Sequence, residues 1–519
     1  MEKGIKILEK IMVAVVGAIG LFMALYLSYY SMRYSYSMKL EYTQEVFEYA
    51  DSLLLHLISI VIFIAIVVIV ALVMKKSTMN MTNRKVSIPM LVVMTVMFVG
   101  TLAWIFGIKN VPANDQKWLL DTIIELINGN YEVFLPHGFL GAVQHQIGLA
   151  TFFLWIFKIF NSFDYHIIQV INALCILLLI YFGKKCSSVL FKDKYTEIVY
   201  LLLMCLCIPL YVYSAFVYGE MISITAGMGM IWFILWYLQS KKFVAIIPIC
   251  VCAIIGTMTR GNYLVLTIAC AMLLMWEAIS KANWKCVILA ICMVACPLIQ
   301  KEVALNVYEA KAGFELEEGM SKNLWIAMGM QENEDVANGW YNGYIYKVYN
   351  GVGQNSVEAS KQADAYIKDR TTMFRNGAAN WREFYKEKIL SQWNEPTYEC
   401  FSATANFEDG SRLLVDNIYT GTIHKNIESF TNQYQLIIYI GFVLYILACL
   451  IRKAPFVNYL LVIYIIGGIL FSALWEASSR YVFPYFVFMI PCAAYGWTSL
   501  CTMLLEKKDI IIRKFKRAN

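Results

Sequence analysis

Four ionisable residues, far apart in the sequence, border apolar segments and carry side chains suited to phosphate chemistry. Asp115 follows "FGIKNVPAN", Glu220 stands in "FVYGEMISI", Arg260 in "TMTRGNYLV" and Arg480 in "SSRYVFPYF". Arginine binds phosphate through charge-assisted, bidentate hydrogen bonds that lysine cannot reproduce. A nearby carboxylate can accept the proton of an incoming hydroxyl group. These residue types predict group transfer at a phosphate, provided that the fold brings the four side chains together.

Each of these residues also fits an ordinary role. An acid in the first turn of a helix is favoured by the helix dipole, which suits Asp115 and Glu220. Arginines at a membrane surface commonly meet lipid phosphates, which suits Arg260 and Arg480. His145 in "AVQHQIG" is a further candidate that equally fits a polar interfacial residue. Because an ionisable group within a membrane costs roughly 2.5–3.5 kcal/mol on insertion scales, a functional hypothesis is warranted for each.

The composition predicts an integral membrane protein. Of the 519 residues, 60% are hydrophobic and only 15% are charged, and the mean hydropathy is +0.58. A soluble protein needs a more polar surface than this. Since roughly 20 apolar residues cross a bilayer core of about 30 Å, we expect an all-α polytopic fold with twelve spans. They lie near residues 11–30, 52–74, 88–107, 165–183, 196–214, 221–239, 243–258, 261–279, 285–300, 435–451, 456–475 and 481–504.

The basic residues predict the orientation of these spans. Lysine and arginine clusters precede the first span and recur between later spans and in the tail "EKKDIIIRKFKRAN". With twelve spans every cluster falls on one side, which the positive-inside rule makes cytoplasmic. We therefore expect a plasma-membrane protein with both termini in the cytoplasm and the candidate residues outside. The net charge of +6 needs no nucleic-acid partner, because basic loops beside anionic lipid of the bilayer explain it.

One apolar stretch does not fit this alternation. Residues 139–160, "FLGAVQHQIGLATFFLWIFKIF", contain His145 and two glutamines. Counting them as a span would place the Lys184 and Lys185 cluster outside. We therefore expect an interfacial or re-entrant helix pair on the outer face.

The spans divide the chain into five parts. Two large parts are expected outside, and the second contains two stretches with apolar residues at helical spacing, "SVEASKQADAYIKDRTTMFRNG" and "NWREFYKEKILSQW". This pattern predicts amphipathic helices that lie on the membrane. The parts are 1–107 (spans one to three), 108–164 (the first outer loop, with Asp115 and the interfacial helices), 165–300 (spans four to nine), 301–434 (a mainly helical extracytoplasmic domain) and 435–519 (the last three spans and the basic tail).

The cysteines predict packing rather than cross-linking. Most of the fourteen lie within the spans, and only Cys400 lies in the large outer region. Such thiols behave as small apolar residues. The sequence has no zinc-ligand spacing and no glycine-rich loop of the nucleotide-binding kind.

Eight short motifs, taken in order, resemble a known family. The order is similar to that of membrane glycosyltransferases with the GT-C fold, and more closely to a Gram-positive bacterial branch of glycosyltransferase family 39, the protein O-mannosyltransferase-like group. Two positions depart from its pattern, because Gln144 replaces a proline and Gly261 separates Arg260 from Asn262. The motifs are "PANDQ" (112–116), "GNY" (129–131), "QHQIG" (144–148), "YGE" (218–220), "RGN" (260–262), "GWYNGY" (339–344), "QWNEP" (392–396) and "RY" (480–481).

The resemblance implies an inverting transfer of a sugar from a polyprenyl-phosphate donor to an extracytoplasmic acceptor. The acceptor would be a cell-envelope glycan, a lipid or a protein. Asp115 would be the catalytic base and Glu220 would orient hydroxyl groups, while Arg260 and Arg480 would hold the donor phosphate. No cofactor is implied, and the lack of an adjacent pair of acids argues against a divalent metal. Further substrate-binding residues implied are Gln116, His145, Gln146, Asn262, Trp340, Tyr341 and Tyr481.

Two other classes of protein also fit the sequence. A polysaccharide polymerase or O-antigen ligase has a similar number of spans and uses a polyprenyl pyrophosphate, but it depends on late arginines and needs no aspartate in the first outer loop. A flippase or transporter of lipid-linked sugars would place polar residues near mid-membrane in paired, inverted halves. The candidate charges here gather at one face instead.

Overall fold

The computed structural model describes residues 2–38, 46–77, 83–333, 336–407 and 412–518. These residues are mainly helical, with one antiparallel hairpin of strands β1 (Tyr34–Met38) and β2 (Val46–Ala50). The helices, in chain order, are α1 Glu2–Ser31, α2 Leu53–Ser77, α3 Asn83–Ile108, α4 Asp115–Ile127, α5 Phe139–Ala142, α6 Ile147–Phe160, α7 His166–Phe191, α8 Lys194–Leu206, α9 Ile208–Tyr213, α10 Glu220–Ser240, α11 Ile246–Thr259, α12 Leu264–Lys281, α13 Lys285–Ala312, α14 Lys322–Met328, α15 Tyr344–Gly351, α16 Ser356–Asn376, α17 Trp381–Trp393, α18 Leu413–Tyr419, α19 Thr422–Ile451, α20 Leu460–Leu474 and α21 Ser479–Ala518.

The architecture is that of a multi-pass membrane protein. In the described part of the chain, ten helices are long and apolar enough to cross a bilayer, or eleven if one bent pair counts as a span. The ten are Lys3–Ser31, Leu53–Met74, Ser87–Ile108, His166–Phe191, Glu220–Ser240, Gly261–Lys281, Lys285–Ala312, Leu413–Ile451, Phe456–Leu474 and Ser479–Glu506.

Two of the twelve predicted spans differ from single long helices. The segment 196–214 breaks at Cys207 into α8 and α9, because Pro209 lacks an N–H group and its ring clashes with a helical carbonyl one turn earlier. The segment 243–258 is a short apolar helix, Phe243–Thr259, that opens with a 3₁₀ turn. Apolar composition alone predicted twelve because it does not record where a helix is interrupted.

The stretch 139–160 bends sharply. The helical segments Glu132–Ala142 and Gln144–Phe160 meet at an angle of 95°, the geometry of a broken span or a re-entrant loop. Gly148 lets α6 pack closely on α11, since a Cβ there would lie 2.4 Å from the carbonyl oxygen of Met258. The route of this stretch through the membrane stays a prediction.

The helices that carry the site are packed into one bundle. α21 lies against α19 and α8, and α10 lies between α7 and α11. Small residues permit the closest approach, since a Cβ on Gly496 would lie 2.0 Å from the carbonyl oxygen of Gly441. The N-termini of α10 and α21 and the C-terminus of α11 meet at one end of this bundle.

The two stretches predicted to form amphipathic helices are helical, as α16 and α17, and their position on the membrane stays a prediction. Asn355 and Asn380 cap them by accepting hydrogen bonds from the N–H groups of Glu358 (3.0 Å) and Glu383 (3.4 Å). The second half of α17 is buried rather than exposed on a surface. There Lys388 donates to the carbonyl oxygens of Gly329 and Ala473, which fastens α17 to the ends of α14 and α20.

The hairpin of β1 and β2 was not predicted from the sequence. It rests on α17 and α19, because Tyr36 N–H donates to the carbonyl of Asn394 (3.0 Å) and the Ser37 hydroxyl donates to Glu428. All fourteen cysteines are free thiols, and Cys400 is buried, as expected for packing residues.

Candidate functional site

Three of the four singled-out side chains meet at one point. Glu220, the first residue of α10, is only 2% exposed, and its Oε1 lies 3.4 Å from Arg260 Nη2 and 3.8 Å from Arg480 Nε. Arg260 ends α11 and Arg480 begins α21. The sequence separation of these residues is large, so the bundle, and not a local motif, brings them together.

Aromatic rings surround the two guanidinium groups. Arg260 lies over the rings of Tyr218 and Tyr481, at 5.4 and 5.3 Å from their centroids. Arg480 lies over the same two rings at 5.6 Å each, and over Phe216 at 5.7 Å. Cation–π contacts of this kind hold a guanidinium without using its N–H donors. The donors therefore stay available to an anion.

The pairing between these charges is loose. Both carboxylate oxygens of Glu220 and the Nε atom of Arg480 are buried and have no hydrogen-bond partner among the described residues. Buried polar atoms without partners are costly and rare in folded proteins. Two cations face one acid here, which leaves positive charge for a further anion.

Asp115 borders this cluster, and its carboxylate has no partner among the residues that the structure describes. It is the first residue of α4, is half-buried, and makes no hydrogen bond or ion pair with any described residue. Burial raises the pKa of Tyr218, Tyr341 and Tyr346, and the charge of Asp115 makes the second-largest contribution in the same direction. Asn114 precedes it with φ 48° and ψ −127°. Strained backbone of this kind is typical of functional sites.

Gln116 fixes the start of α4, and with it Asp115, next to the segment that leads to Glu220. Its Oε1 accepts a hydrogen bond from Val217 N–H (2.8 Å), and its Nε2 donates to the carbonyl of Ala403 (3.0 Å). Both polar atoms of the amide bond to backbone, so Gln116 has a positioning role in the structure. A contact between Gln116 and substrate, which the sequence analysis predicts, would be a different role.

Gly219 explains the glycine of the "YGE" motif. A Cβ at this position would lie 2.2 Å from the carbonyl oxygen of Thr259 and 3.2 Å from Arg260 Cγ. The start of α10 and the end of α11 can therefore approach closely enough for Glu220 to reach Arg260.

Residues 395–399, which begin within the "QWNEP" motif, fix the start of α21. The Glu399 carboxylate accepts hydrogen bonds from the Ser478 hydroxyl (2.6 Å) and from Arg480 N–H (3.1 Å), and Glu395 accepts one from the Ser479 hydroxyl (2.7 Å). Tyr398 and Glu399 both have positive φ, 53° and 59°. A negative charge at a helix N-terminus is favourable, so this strained segment orients Arg480.

Glu476 is a site residue that the sequence reasoning missed. It is 8% exposed, and its Oε1 accepts a hydrogen bond from the Tyr481 hydroxyl at 2.9 Å. Burial raises its pKa to about 7, and the charges of Asp115 and Glu399 act in the same direction. Its position four residues before Arg480 was the available signal, but only the fold reveals its burial.

Four further residues were predicted to bind substrate: Gln146, His145, Tyr341 and Asn262. Gln146 donates to the Tyr218 hydroxyl, and His145 stands edge-on to Trp325 with ring centroids 5.3 Å apart, so both border the cluster. Tyr341 is 38% exposed. Asn262 is half-buried, and its Oδ1 has no hydrogen-bond partner in the described ranges.

Trp340 does not line a substrate surface. It is 1% exposed, packs with Met38, Ala337 and Ala477, and its indole N–H donates to the Ser391 hydroxyl (2.8 Å). The tryptophan therefore anchors its loop, and the adjacent Tyr341 is the side chain that is accessible. A tryptophan in a polar motif can serve either purpose, and only packing distinguishes them.

The arrangement suits binding of an anion next to a carboxylate that can accept a proton. Within the described residues, no group of three or more His, Cys, Asp or Glu side chains could hold a metal ion. No family model matches the chain, and no curated protein matches it.

Proposed function

We propose that the protein is an inverting glycosyltransferase of the GT-C, family 39-like kind, which transfers a sugar from a polyprenyl-phosphate donor to an acceptor hydroxyl group. The supporting observation is that Arg260 and Arg480 converge on a single buried acid, Glu220, next to the unpaired carboxylate of Asp115. The location among apolar, span-length helices favours a donor carried by a lipid. We place the site on the extracytoplasmic face of the plasma membrane.

In this mechanism the donor phosphate binds between the two arginines. The acceptor hydroxyl attacks the anomeric carbon of the sugar as its proton passes to Asp115. The bond between that carbon and the phosphate oxygen breaks, and its electron pair leaves with the polyprenyl monophosphate. Arg260 and Arg480 stabilise the charge that develops on this oxygen. The acceptor approaches opposite to the leaving group, so the anomeric configuration inverts.

Glu220 acts as the placeholder for the donor phosphate before the donor binds. Its ion pairs of 3.4 and 3.8 Å partly neutralise Arg260 and Arg480, whose side chains are 12% and 18% exposed, without engaging their donors in hydrogen bonds. A phosphate that forms real hydrogen bonds replaces this loose pairing at little cost. Glu220 is then released to meet hydroxyl groups of the substrate.

The experiment is mass spectrometry of polyprenyl-linked sugars, with sugar analysis of the cell envelope. Cells that naturally carry the protein would express the wild type, no protein, Asp115→Asn, or the matched control Asp121→Asn, which alters an exposed acid on the same helix. We expect Asp115→Asn and the deletion to accumulate one polyprenyl-monophosphate sugar and to lose that sugar from an envelope glycan or protein. Asp121→Asn should resemble the wild type.

A polymerase reading predicts a different pattern. Two arginines also suit a pyrophosphate, so accumulation of a pyrophosphate-linked oligosaccharide would favour the polymerase. Unchanged lipid pools in Asp115→Asn would refute the assignment of the base.

A further inference from the structure

Glu476 connects the arginine cluster with the part of the site that contains Asp115. It lies in the short connection between α20 and α21, where it accepts the hydrogen bond from Tyr481. The Tyr481 ring is in turn the surface on which both guanidinium groups rest. The other oxygen of Glu476 has no hydrogen bond to any described residue. A substitution of Glu476 would therefore affect the position of both arginines and the charge near Asp115.

Asp115 and Glu476 form a pair of acids with contrasting surroundings. Asp115 is half-buried, whereas Glu476 is 8% exposed. Two nearby carboxyl groups do not readily ionise together, and the less solvated one retains the proton. The other charged or titratable groups that act on Glu476 or feel its charge are Tyr341, Tyr346, Lys388, Glu399, Arg480 and Tyr481.

We propose that Glu476 is the protonated member of this pair and a positioning residue, which holds Tyr481 beneath the arginines and keeps negative charge away from Asp115 and the donor phosphate. This inference rests on the proposed function for its consequence in catalysis, but the protonation of Glu476 can be measured without it. Ionisation of Glu476 would add a second negative charge where the phosphate binds and would weaken binding.

The burial of Glu476 agrees with this assignment, because it raises the pKa to about 7 against the Tyr481 hydrogen bond and Arg480, which lower it. The pKa is raised relative to an unfolded chain, so the protonated form is favoured below pH 7 and lost as the pH rises through that value. The site should therefore bind phosphate best in the protonated state.

The test uses full-length protein in lipid nanodiscs and polyprenyl monophosphate as the probe. The infrared spectrum of the wild type minus that of Glu476→Gln should contain a protonated-carboxyl band that fades as the pH rises through about 7. The subtraction removes the band of Glu395, whose pKa burial also raises to about 7. From pH 6 to pH 8 the affinity of the wild type for the probe should fall relative to that of Glu476→Gln by up to about tenfold, as expected for a linked change of one pKa unit. Glu476→Gln mimics the neutral acid, so its own pH dependence contains only the ionisation of the probe phosphate and of other groups such as Lys388.

Three results would overturn the inference. These are absence of the band from the difference spectrum at pH 6, equal pH dependence of binding in wild type and Glu476→Gln, and loss of binding in a folded Glu476→Gln. Glu476→Ala, which cannot hold Tyr481, should bind weakly at both pH values, and wild-type affinity in this variant would refute the positioning role. If the wild type binds the probe with the predicted pH dependence but transfers no sugar, the proposed function fails and the assignment of Glu476 stands.

Discussion

Arg260 and Arg480 come from opposite helix ends yet rest on the same two tyrosine rings. Their guanidinium carbons lie 5.3–5.6 Å from the centroids of Tyr218 and Tyr481. Because the rings hold the side chains by their faces, the N–H donors can point together at one anion. The geometry depends on guanidinium groups, so it yields a prediction about lysine.

Replacing either arginine with lysine should impair the site although the charge is kept. An ammonium group neither stacks on a ring in the same way nor offers two parallel donors to a phosphate. For Arg260→Lys and Arg480→Lys we expect donor turnover to fall about 10- to 100-fold, that is by about 1.4–2.8 kcal/mol in the transition state. Turnover is measured with membranes at equal protein level. Arg382→Lys, at an exposed position, is the control and should change nothing; normal turnover in both site variants would contradict the phosphate role.

Glu220→Gln should separate stability from binding. The substitution leaves the partly exposed Arg260 and Arg480 without their acid, so we expect the free energy of unfolding to fall by roughly 1–3 kcal/mol. It also removes a competitor of the donor phosphate, so affinity for polyprenyl monophosphate should rise. Thermal unfolding in detergent and probe binding in nanodiscs measure the two effects. Weaker binding by a folded Glu220→Gln would show that the acid is no placeholder.

Gly219→Ala should displace Arg260. The new methyl group would lie 2.2 Å from the carbonyl oxygen of Thr259, so α10 and the end of α11 must move apart. We expect probe binding to fall at least tenfold while the protein still inserts in the membrane. Gly261→Ala is a matched control two residues from Thr259, since a Cβ there meets nothing within 4 Å. Equal binding by the two variants would contradict the close-approach argument.

Lys388 should make stability depend on pH. Burial lowers its pKa from 10.5 to about 7, so between these values the unfolded chain binds more protons than the folded one. Stability must then rise with pH across that window. Compared with Lys388→Met, the wild type should gain melting temperature between pH 7 and pH 9. The difference in melting temperature between the wild type and the variant cancels the contribution of other titrating groups. A difference that stays constant across this pH range would argue against a neutral buried lysine.

The sequence singled out three residues that the fold brings together, but it predicted the course of the helices less well. Glu220, Arg260 and Arg480 were recognisable because ionisable residues beside apolar segments are costly. The break at Cys207 was missed because an apolar run conceals Pro209. Glu476 and the acid at Glu399 were missed because their roles depend on burial and on contacts with distant residues. Trp340 was assigned to the substrate through the resemblance of its motif to a known family, whereas its neighbours bury it.

The central claim is tested most directly by the lipid product of the reaction. A lipid extract from cells that lack the protein would be supplied, with an envelope acceptor fraction, to purified wild type and to Asp115→Asn in nanodiscs. If the protein is the proposed transferase, the wild type releases polyprenyl monophosphate as a sugar joins the acceptor, and Asp115→Asn releases about 100-fold less or lower still. Release of polyprenyl pyrophosphate, or equal release by both proteins, would contradict it.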